Sequence, residues 1–376
     1  MLTRPRIAIV GGGLAGLVAA WRIEQRGIGD CLILEAGDRL GGRIETVSAT
    51  IESGAAPTMP SDAGRFDLGA TWFWPAFQPE LDRLIDELGL TRFAQPEAGE
   101  MMVERAPQAP PVRMRGYTSG SMRIAGGMGA LVEAVRARLA TTRIVTGAPV
   151  RRIRLIGARV ELETDGARAG SAVWQADHVL LALPPRLAAG TIEFTPALPA
   201  AIAESWRDTA TWMAPHAKYL AIYDAPFWRA AGLSGEARSA RGPLAEIHDA
   251  SSPDGPAALF GFLGVPADTR ERIADEVLRH HCRAQLARLF GPLAAAPRAE
   301  FVRDWARVPT TASAADRQGA AAHGAAPPAR IGTGPWRDRL VGIASEWSAS
   351  FPGYVAGAIE AAGFGVAALA AIERQR

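Results

Sequence analysis

The fold of this chain is decided near its N-terminus by the stretch Ile7-Ala8-Ile9-Val10-Gly11-Gly12-Gly13-Leu14-Ala15-Gly16. The apolar run 7–10 predicts a short buried parallel strand, and residues 14–26 predict a helix that stops near Gly27. A second apolar run, Cys31-Leu32-Ile33-Leu34, predicts the next strand and leads to Glu35. The glycine spacing between a strand and a helix, with an acidic residue after the second strand, is the fingerprint of a dinucleotide-binding β-α-β unit.

The residue types of this unit suit a dinucleotide for separate physical reasons. Gly11 permits the tight turn, Gly13 lets the backbone approach a pyrophosphate, and Gly16 allows close packing of the helix on the strand. The phosphates would face the N–H groups at the positive end of the helix. The Glu35 carboxylate can accept hydrogen bonds from both ribose hydroxyls and would repel a 2′-phosphate, which disfavours NADP. The residues expected to contact the cofactor here are Gly11, Gly13, Leu14, Ala15, Gly16, Glu35 and Ala36.

The residues after Glu35 distinguish FAD from NAD, which the glycine motif alone does not. They read Ala36-Gly37-Asp38-Arg39-Leu40-Gly41-Gly42-Arg43, so Arg43 can bring a fixed cation to the pyrophosphate. This run resembles the second FAD motif of the flavin amine oxidase superfamily, which includes monoamine oxidases, polyamine oxidases, L-amino-acid oxidases and phytoene desaturases. The resemblance implies FAD as the cofactor.

Further ordered motifs extend the resemblance over nearly the whole chain. Residues 66–72 are similar to the segment beside the flavin ring, and residues 126–131 to the family's return to the FAD domain. Val150 stands where a family residue contacts the adenine half, Asp304-Trp305 resembles the family's tryptophan near the flavin, and residues 346–357 resemble its C-terminal flavin motif. The resemblance adds these cofactor contacts: Arg43, Gly69, Ala70, Thr71, Trp72, Val150, Trp305, Glu346 and Val355.

Lys218 is the single lysine among 41 cationic residues, and it precedes a Pro-Phe-Trp-Arg sequence at residues 226–229, as in the monoamine oxidases. In the family this lysine holds a water against flavin N5, while a hydride equivalent leaves the carbon next to an amine. The imine is then hydrolysed, and O₂ reoxidises the flavin to give H₂O₂. An ammonium is compact and its pKa shifts readily on burial, so a lysine can do here what an arginine cannot. We predict Lys218 and Tyr354, which matches one of the two tyrosines that frame the substrate amine, as catalytic residues.

The sequence departs from the monoamine oxidases at two positions. Counted from Trp305, the cysteine that carries covalent FAD falls at about Ala314, and the first framing tyrosine falls at about Ala315. We therefore expect non-covalent FAD and half of the aromatic cage. The aromatic residues that are candidates to complete it are Trp72, Trp74, Trp212 and Trp347.

The bulk composition limits the other classes of function. With 376 residues, 48% of them hydrophobic, the chain can form two domains, and its net charge of +2 without a basic stripe argues against nucleic acid. The two distant cysteines fit a reducing cytoplasm. The N-terminal residues mimic a secretory signal but are explained by the glycine motif, and no apolar run reaches the roughly 20 residues of a membrane span. We expect a soluble, cytoplasmic protein with no membrane partner and no metal, since neighbours such as His280, His281 and Cys282 point to different helix faces.

The predicted fold class is α/β, with a discontinuous Rossmann-like FAD-binding domain and an inserted α+β substrate-binding domain. The FAD domain is predicted to comprise residues 1–77, 122–195 and 306–376, and the substrate domain residues 78–121 and 196–305. The short segment 78–121 suggests a small cap over the site. Further periodic segments predict strands at 150–156, 159–164, 172–183 and 218–223, helices at 79–89, 128–140, 270–290 and 353–374, and a loop at 311–335.

The predicted function is the FAD-dependent oxidation of a small amine, with O₂ as the electron acceptor. Three alternatives stay open at this point: an amino-acid oxidase, a C–C desaturase of the same superfamily, and a flavin-binding electron-transfer protein. An amino-acid oxidase would need a cation for the substrate carboxylate, and any of 40 arginines qualifies.

Overall fold

The computed structural model describes residues 7–49, 64–106, 108–166, 171–253, 255–318 and 324–374. The strands in these ranges are, in chain order, β1 (Ile7–Val10), β2 (Cys31–Leu34), β3 (Thr46–Ser48), β4 (Arg65–Asp67), β5 (Arg92–Ala94), β6 (Glu100–Glu104), β7 (Val112–Arg115), β8 (Met122–Ile124), β9 (Arg143–Val145), β10 (Val150–Ile156), β11 (Arg159–Thr164), β12 (Ala172–Ala176), β13 (His178–Leu181), β14 (Glu193–Thr195), β15 (Ala217–Tyr223), β16 (Leu233–Ser239), β17 (Leu244–Asp249), β18 (Ala257–Leu263), β19 (Ala299–Asp304) and β20 (Leu340–Gly342).

The α-helices of the same ranges are interspersed among these strands and include one long C-terminal helix. They are α1 (Leu14–Arg26), α2 (Pro79–Glu87), α3 (Met128–Ala137), α4 (Pro185–Thr191), α5 (Ala200–Asp208), α6 (Phe227–Ala230), α7 (Ala267–Arg270), α8 (Asp275–Phe290), α9 (Ala314–Gln318) and α10 (Val355–Arg374).

A five-stranded parallel sheet forms the centre of the nucleotide-binding half, in the order β20-β13-β1-β2-β9. All residues of β1 and β2 are buried, because helices and loops cover both faces of the sheet. Ile7 and Ile9 pack into one hydrophobic cluster with α1, α3 and α10, whereas Ala8 and Val10 pack into a second cluster on the other face. This sheet confirms the predicted α/β class and the Rossmann-like order of its first strands.

Helix α10 corrects one expectation from the sequence. Its 20 residues are long and apolar enough to cross a membrane by length and composition, although no run of that kind was expected. The helix packs along α1 in the core, and Ile359, Val366 and Leu369 are buried there. Its hydrophobicity is thus accounted for by the interior of the protein.

A seven-stranded, mostly antiparallel sheet forms the other half, in the order β19-β15-β18-β17-β16-β6-β7. Strand β15 lies between β18 and β19 and is buried along its whole length. Its register places Lys218 opposite Phe262 on one side and Arg303 on the other. The sheet therefore presents Lys218 from a central, well-supported strand.

Most predicted elements are found, with local differences. The segment 172–183 is two strands, since β12 joins β11 in a separate four-stranded sheet while β13 enters the parallel sheet. The predicted helix 270–290 is divided between α7 and α8, and the predicted loop 311–335 contains the short α9, with residues 319–323 lying outside the described ranges.

The strands of the parallel sheet all fall within the ranges predicted for the FAD domain, and those of the seven-stranded sheet within the ranges predicted for the substrate domain. Helix α2, however, buries Leu81, Leu84 and Ile85 in the same cluster as α1 and α10. The domain limits themselves stay a prediction.

Candidate active site

A cavity of about 960 Å³ opens at the carboxyl ends of the central strands. Its wall includes Val10 and Leu34, the last residues of β1 and β2, and Ala182, which follows β13. Open α/β sheets bind ligands in this crevice. The same cavity continues to Trp74 and Tyr354, so its volume, near the top of the roughly 300–1,000 Å³ usual for ligand pockets, joins a nucleotide end to an aromatic end.

Most of the residues predicted from the sequence line this one cavity. They are Gly11, Gly13, Leu14, Ala15, Glu35, Ala36, Arg43, Gly69, Ala70, Thr71, Trp72, Val150, Trp305, Tyr354 and Val355. Gly16, Lys218 and Glu346 lie behind the wall, each against a residue that lines it. Their roles towards a cofactor stay predictions.

The glycine turn shapes the nucleotide end through its backbone. Gly11 has a φ of +110°, a region that favours glycine, and a Cβ at Gly16 would lie 2.1 Å from the Gly11 carbonyl oxygen. A Cβ at Gly13 would meet only the Gly42 Cα, at 3.9 Å. Since Gly13 has no side chain to cap α1, the N–H groups of the first helical turn are left for a ligand.

The Glu35 carboxylate is oriented by the two loops beside it. Its Oε2 accepts a hydrogen bond from the Gly12 N–H at 2.6 Å, and its Oε1 accepts one from the Gly37 N–H at 2.7 Å. A carboxylate has about four lone-pair sites, so two remain for donors such as ribose hydroxyls. The open face of Gly13, the helix N-terminus and Glu35 together fit the pyrophosphate and ribose of a dinucleotide.

Arg43 and Glu346 form an ion pair that joins the two ends of the chain. Arg43 Nη1 donates to Glu346 Oε1 at 2.5 Å and Nη2 to Oε2 at 2.8 Å, and Nη1 also donates to the Trp212 carbonyl at 3.0 Å. Arg43 lines the cavity, whereas Glu346 is almost fully buried. The cation predicted at the pyrophosphate is therefore held in place by a carboxylate and is not free.

The segment after β4 forms the wall between the nucleotide end and Lys218. A Cβ at Gly69 would lie 2.0 Å from the Arg43 carbonyl oxygen, so only glycine fits there. Trp305 Nε1 donates to the Leu68 carbonyl at 3.2 Å, and Trp72 Nε1 donates to Gln95 Oε1 at 2.8 Å. These bonds hold the segment and both indole rings at the cavity wall.

Lys218 is buried, with 1% of its surface exposed. Its Nζ donates to Thr71 Oγ1 at 2.6 Å and to the Gly69 carbonyl at 3.3 Å, and it lies 3.8 Å from the centre of the Phe260 ring. Burial lowers the pKa of Lys218 from its ordinary 10.5 to about 7. The carboxylate of Asp67 opposes this shift and the Arg123 guanidinium adds to it.

Aromatic rings line the end of the cavity away from the glycine turn. Trp74 and Tyr354 meet edge to face with centroids 6.5 Å apart, and Trp212 lies 5.5 Å from His216. Trp72 also lines the cavity and packs on the His248 ring at 4.8 Å. Three of the four candidate tryptophans therefore face the cavity.

The fourth candidate, Trp347, is placed differently. It is buried in the core 5.5 Å from Trp206, in the cluster on the far face of the parallel sheet, so its candidacy for the cage was wrong. Ala314 and Ala315 also lie away from the cavity, exposed on α9, because the wall after Trp305 is formed by residues 308–311. Counting residues from Trp305 thus identifies no position in the cavity wall.

Further cavity residues come from strands that carry no recognisable motif. Glu246 on β17 pairs in register with Phe262 on β18, and both line the cavity. Glu246 Oε1 lies 2.6 Å from His248 Nε2, and its other oxygen pairs with Arg238. Only the pairing of the strands brings these residues together, so no local signal in the sequence marks them.

His216 also lines the cavity, two residues before Lys218. Burial, and secondarily the charge of Arg270, lower the pKa of His216 below its ordinary value of 6.5. Its Nδ1 is buried without a hydrogen-bond partner.

The predicted absence of a metal site is not decided by the structure, but the histidine–cysteine run on α8 does not form one. His280 and His281 are exposed while Cys282 is buried. Among the residues that the structure describes, no three His, Cys, Asp or Glu side chains converge on a point that could hold a metal.

The chain resembles known proteins both as a member of a family and in comparison with individual relatives. The family described as flavin containing amine oxidoreductase matches residues 103–369, and the NAD(P)-binding Rossmann-like domain matches residues 9–88. A probable flavin-containing monoamine oxidase A of Dictyostelium discoideum is 24% identical over 410 aligned positions, covering 81% of this chain and 84% of that protein. A putrescine oxidase of Kocuria rosea is 30% identical over 175 positions, covering 42% and 36%.

Solved structures show the same fold over the whole chain. Cyclohexylamine oxidase from Brevibacterium oxydans IH-35A has a TM-score of 0.79 at 20% identity, covering 99% of this chain and 100% of the other. Putrescine oxidase bound to putrescine has a TM-score of 0.77 at 20% identity, covering 98% and 99%. The site and the fold define a flavin-dependent oxidoreductase, and this chain belongs to the flavin-containing amine oxidoreductase family.

Proposed function

We propose that the protein oxidises a small primary or secondary amine with non-covalently bound FAD and with O₂ as the electron acceptor. The observation that carries this proposal is the single cavity that runs from the glycine turn to the aromatic end, with the buried amine of Lys218 behind its wall. When bound, FAD would accept the hydride that leaves the carbon next to the amine nitrogen while the nitrogen loses a proton, and it would pass the two electrons, with two protons, to O₂ to give H₂O₂. The resulting imine is hydrolysed by water to a carbonyl compound and an amine or ammonia.

The residues of the nucleotide end would hold the cofactor as follows. The carboxylate of Glu35 would accept hydrogen bonds from ribose hydroxyls, and the N–H groups of Leu14 and Ala15 would face the pyrophosphate. Arg43 adds a positive charge beside them, fixed in position by Glu346. A cofactor held by these groups would leave its reactive ring to the remainder of the same cavity, whose wall includes Thr71 and Tyr354.

The residues of the aromatic end would bind and orient the amine. Tyr354 and Trp74 present perpendicular rings, and aromatic faces attract a cationic or polarised amine. Lys218, with its pKa of about 7, can hold or release a proton at Nζ in the physiological range. We propose Lys218 and Tyr354 as the catalytic residues on this basis.

The charges at the aromatic end favour a monoamine with an apolar group over a diamine or an amino acid. Glu246 forms an ion pair with Arg238 and lies within hydrogen-bond distance of His248, so it offers little attraction to a second ammonium. Every arginine that lines the cavity, namely Arg39, Arg43, Arg151 and Arg303, is paired with a carboxylate, which leaves no free cation for a substrate carboxylate in the described part of the wall.

Non-covalent attachment is supported by the positions of the two cysteines. Cys31 lies in β2 and Cys282 in α8, both are buried, and burial raises the pKa of each thiol to about 12. Neither lines the cavity. Release of all flavin from the denatured chain supports this part of the proposal, and flavin that stays on the polypeptide contradicts it.

The decisive test is a two-stage assay on the purified flavoprotein. Arylalkylamines, diamines and amino acids are added without O₂, and bleaching of the flavin absorbance is recorded. Air is then admitted and H₂O₂ is measured. Bleaching by monoamines followed by stoichiometric peroxide is expected. Bleaching only by amino acids would favour an amino-acid oxidase, and no bleaching by any amine would favour a desaturase or an electron-transfer protein. The cytoplasmic location stays a prediction.

A further inference from the structure

The amine of Lys218 is held by the hydroxyl of Thr71, a residue that the sequence predicts only as a cofactor contact. The Nζ–Oγ1 distance of 2.6 Å is short, and both side chains are at least 95% buried. Thr71 Oγ1 also donates to the Gly69 carbonyl at 3.3 Å, the same carbonyl that accepts from Lys218. Thr71 lines the cavity while Lys218 does not, so the hydrogen bond joins the buried amine to a residue of the cavity wall.

A second group reaches the amine from the neighbouring strand. Phe260 lies two residues before Phe262, the register partner of Lys218, so both rings are on the side of β18 that faces the amine. Nζ is 3.8 Å from the Phe260 ring centre and 5.8 Å from that of Phe262. The nearer ring is well within the distance of a cation–π contact.

The charged groups around Lys218 do not include a direct ion-pair partner among the described residues. Asp67 on β4 acts on it at longer range, and its Oδ1 already accepts from Thr46 and the Met128 N–H. Arg123 on β8 opposes the positive charge, and Arg303 on β19 is paired with Glu45. The close contacts that favour a protonated amine are therefore the hydroxyl, one carbonyl and one ring.

We propose that Thr71 is a positioning residue that, together with Phe260, clamps the Lys218 amine against the cavity wall. The inference rests on the proposed function, because it assigns how the lysine of that reaction is kept in place. Hydrogen bonds donated by a charged group are stronger than those donated by a neutral one, so the hydroxyl favours the protonated amine. Loss of the hydroxyl alone should then lower the pKa of Lys218 further, by about one unit.

The single lysine makes a direct measurement possible. The untagged holoenzyme, produced with lysine carrying carbon-13 at Cε, has one Lys218 resonance and needs no assignment. Its chemical shift is titrated in the native protein and in Thr71→Val, which keeps the shape of the side chain. Thr71→Ser keeps the hydroxyl and is the matched control. Phe260→Leu is a second variant, with the more distant Phe262→Leu as its control.

The expected result is a pKa lowered by about one unit in Thr71→Val, unchanged in Thr71→Ser, and lowered more by Phe260→Leu than by Phe262→Leu. The midpoint of the pH profile for flavin reoxidation by O₂ should move with the resonance. An unchanged pKa in Thr71→Val, or an equal shift in Thr71→Ser, would overturn the clamp. If Thr71→Val does not fold, equal effects of the two phenylalanine variants would overturn it.

The resonance does not depend on turnover, so the two proposals fail separately. If the pKa of Lys218 changes in Thr71→Val but no amine bleaches the flavin, the clamp stands and the proposed function is excluded. If the protein oxidises amines but the pKa of Lys218 is the same in the native protein and in Thr71→Val, the proposed function stands and the clamp is excluded.

Discussion

The two ends of the cavity use different chemical groups of the chain: backbone groups form the nucleotide end, and side chains form the aromatic end. The nucleotide end uses backbone groups at the ends of parallel strands, where Gly11, Gly13 and Gly16 leave room for a ligand or for another segment. The aromatic end uses side chains that project from β17 and β18 and from the loops beside the strands. A backbone site tolerates few substitutions but binds one kind of ligand, whereas a side-chain site can change its specificity without changing the fold. We expect substitutions at the nucleotide end to affect folding and cofactor retention, and substitutions at the aromatic end to affect rate and substrate choice.

The largest effect is expected at Gly16, where the backbone site is also a packing contact. In Gly16→Ala the new Cβ would lie 2.1 Å from the Gly11 carbonyl, so the turn must shift. Overpacking of this kind costs about 1–3 kcal/mol or more, and we expect a lower melting temperature with loss of FAD. Gly13→Ala is the control, because its Cβ meets nothing closer than 3.9 Å. It should keep the melting temperature of the apoprotein and weaken only FAD binding. Equal stabilities of the two apoproteins would contradict this distinction.

The next effect concerns the reaction with O₂. Lys218→Met should keep FAD, because Lys218 lies outside the nucleotide end, and should slow flavin reoxidation by roughly 100-fold, as when one preorganised charge is removed. In the native protein the rate of reoxidation should fall as pH rises through about 7, since the ammonium that stabilises the negative charge developing on O₂ is lost there. Stopped-flow reoxidation against pH measures both. A variant with the native rate and pH profile would remove Lys218 from this role.

Lys218→Met, which should slow reoxidation, should also raise the stability of the folded protein. The pKa of Lys218 is about 7 in the folded protein and about 10.4 in an unfolded chain, so the unfolded state binds more protons between these values. The native protein should therefore gain stability as pH rises from 7 towards 10, and Lys218→Met should lack this contribution. We expect the variant to be more stable by up to a few kcal/mol at pH 7, with the difference shrinking at higher pH. Urea unfolding at several pH values measures this, and a constant difference would be inconsistent with a neutral buried amine.

The smallest effect is expected at the aromatic end. Arg238→Gln removes one of the two partners of Glu246 and should raise the ratio of diamine to monoamine kcat/KM by several-fold, because the carboxylate is then free to attract a second ammonium. Arg330→Gln breaks an exposed pair with Asp338 elsewhere on the surface and should leave the ratio unchanged. The same ratio in both variants would show that Glu246 does not select between these substrates.

The sequence predicted the elements whose hydrophobic pattern is local. It did not predict boundaries between elements where no glycine, proline or change of pattern marks them. Strands 7–10 and 31–34 and helix 14–26 are found as expected, since hydrophobic runs and glycine stops delimit them. The segment 172–183 reads as one strand because both halves are apolar, and only sheet pairing separates β12 from β13. Trp347 was misassigned for a similar reason, because a tryptophan beside a flavin-like motif gives no sign of which face it occupies.

What the sequence determined by itself is the nucleotide end of the site. The glycine turn, Glu35 and the run to Arg43 lie within about forty consecutive residues, and their function depends on backbone geometry that glycine and strand–helix patterns encode locally. Only the tertiary structure decided which distant groups meet. Arg43 pairs with Glu346 across 303 residues, and Lys218 finds Thr71 across 147. Such contacts depend on how the two sheets pack against each other. Thr71 is an example: the cofactor contact predicted for it from the sequence stays a prediction, and the folded protein adds that its hydroxyl binds the one lysine of the chain.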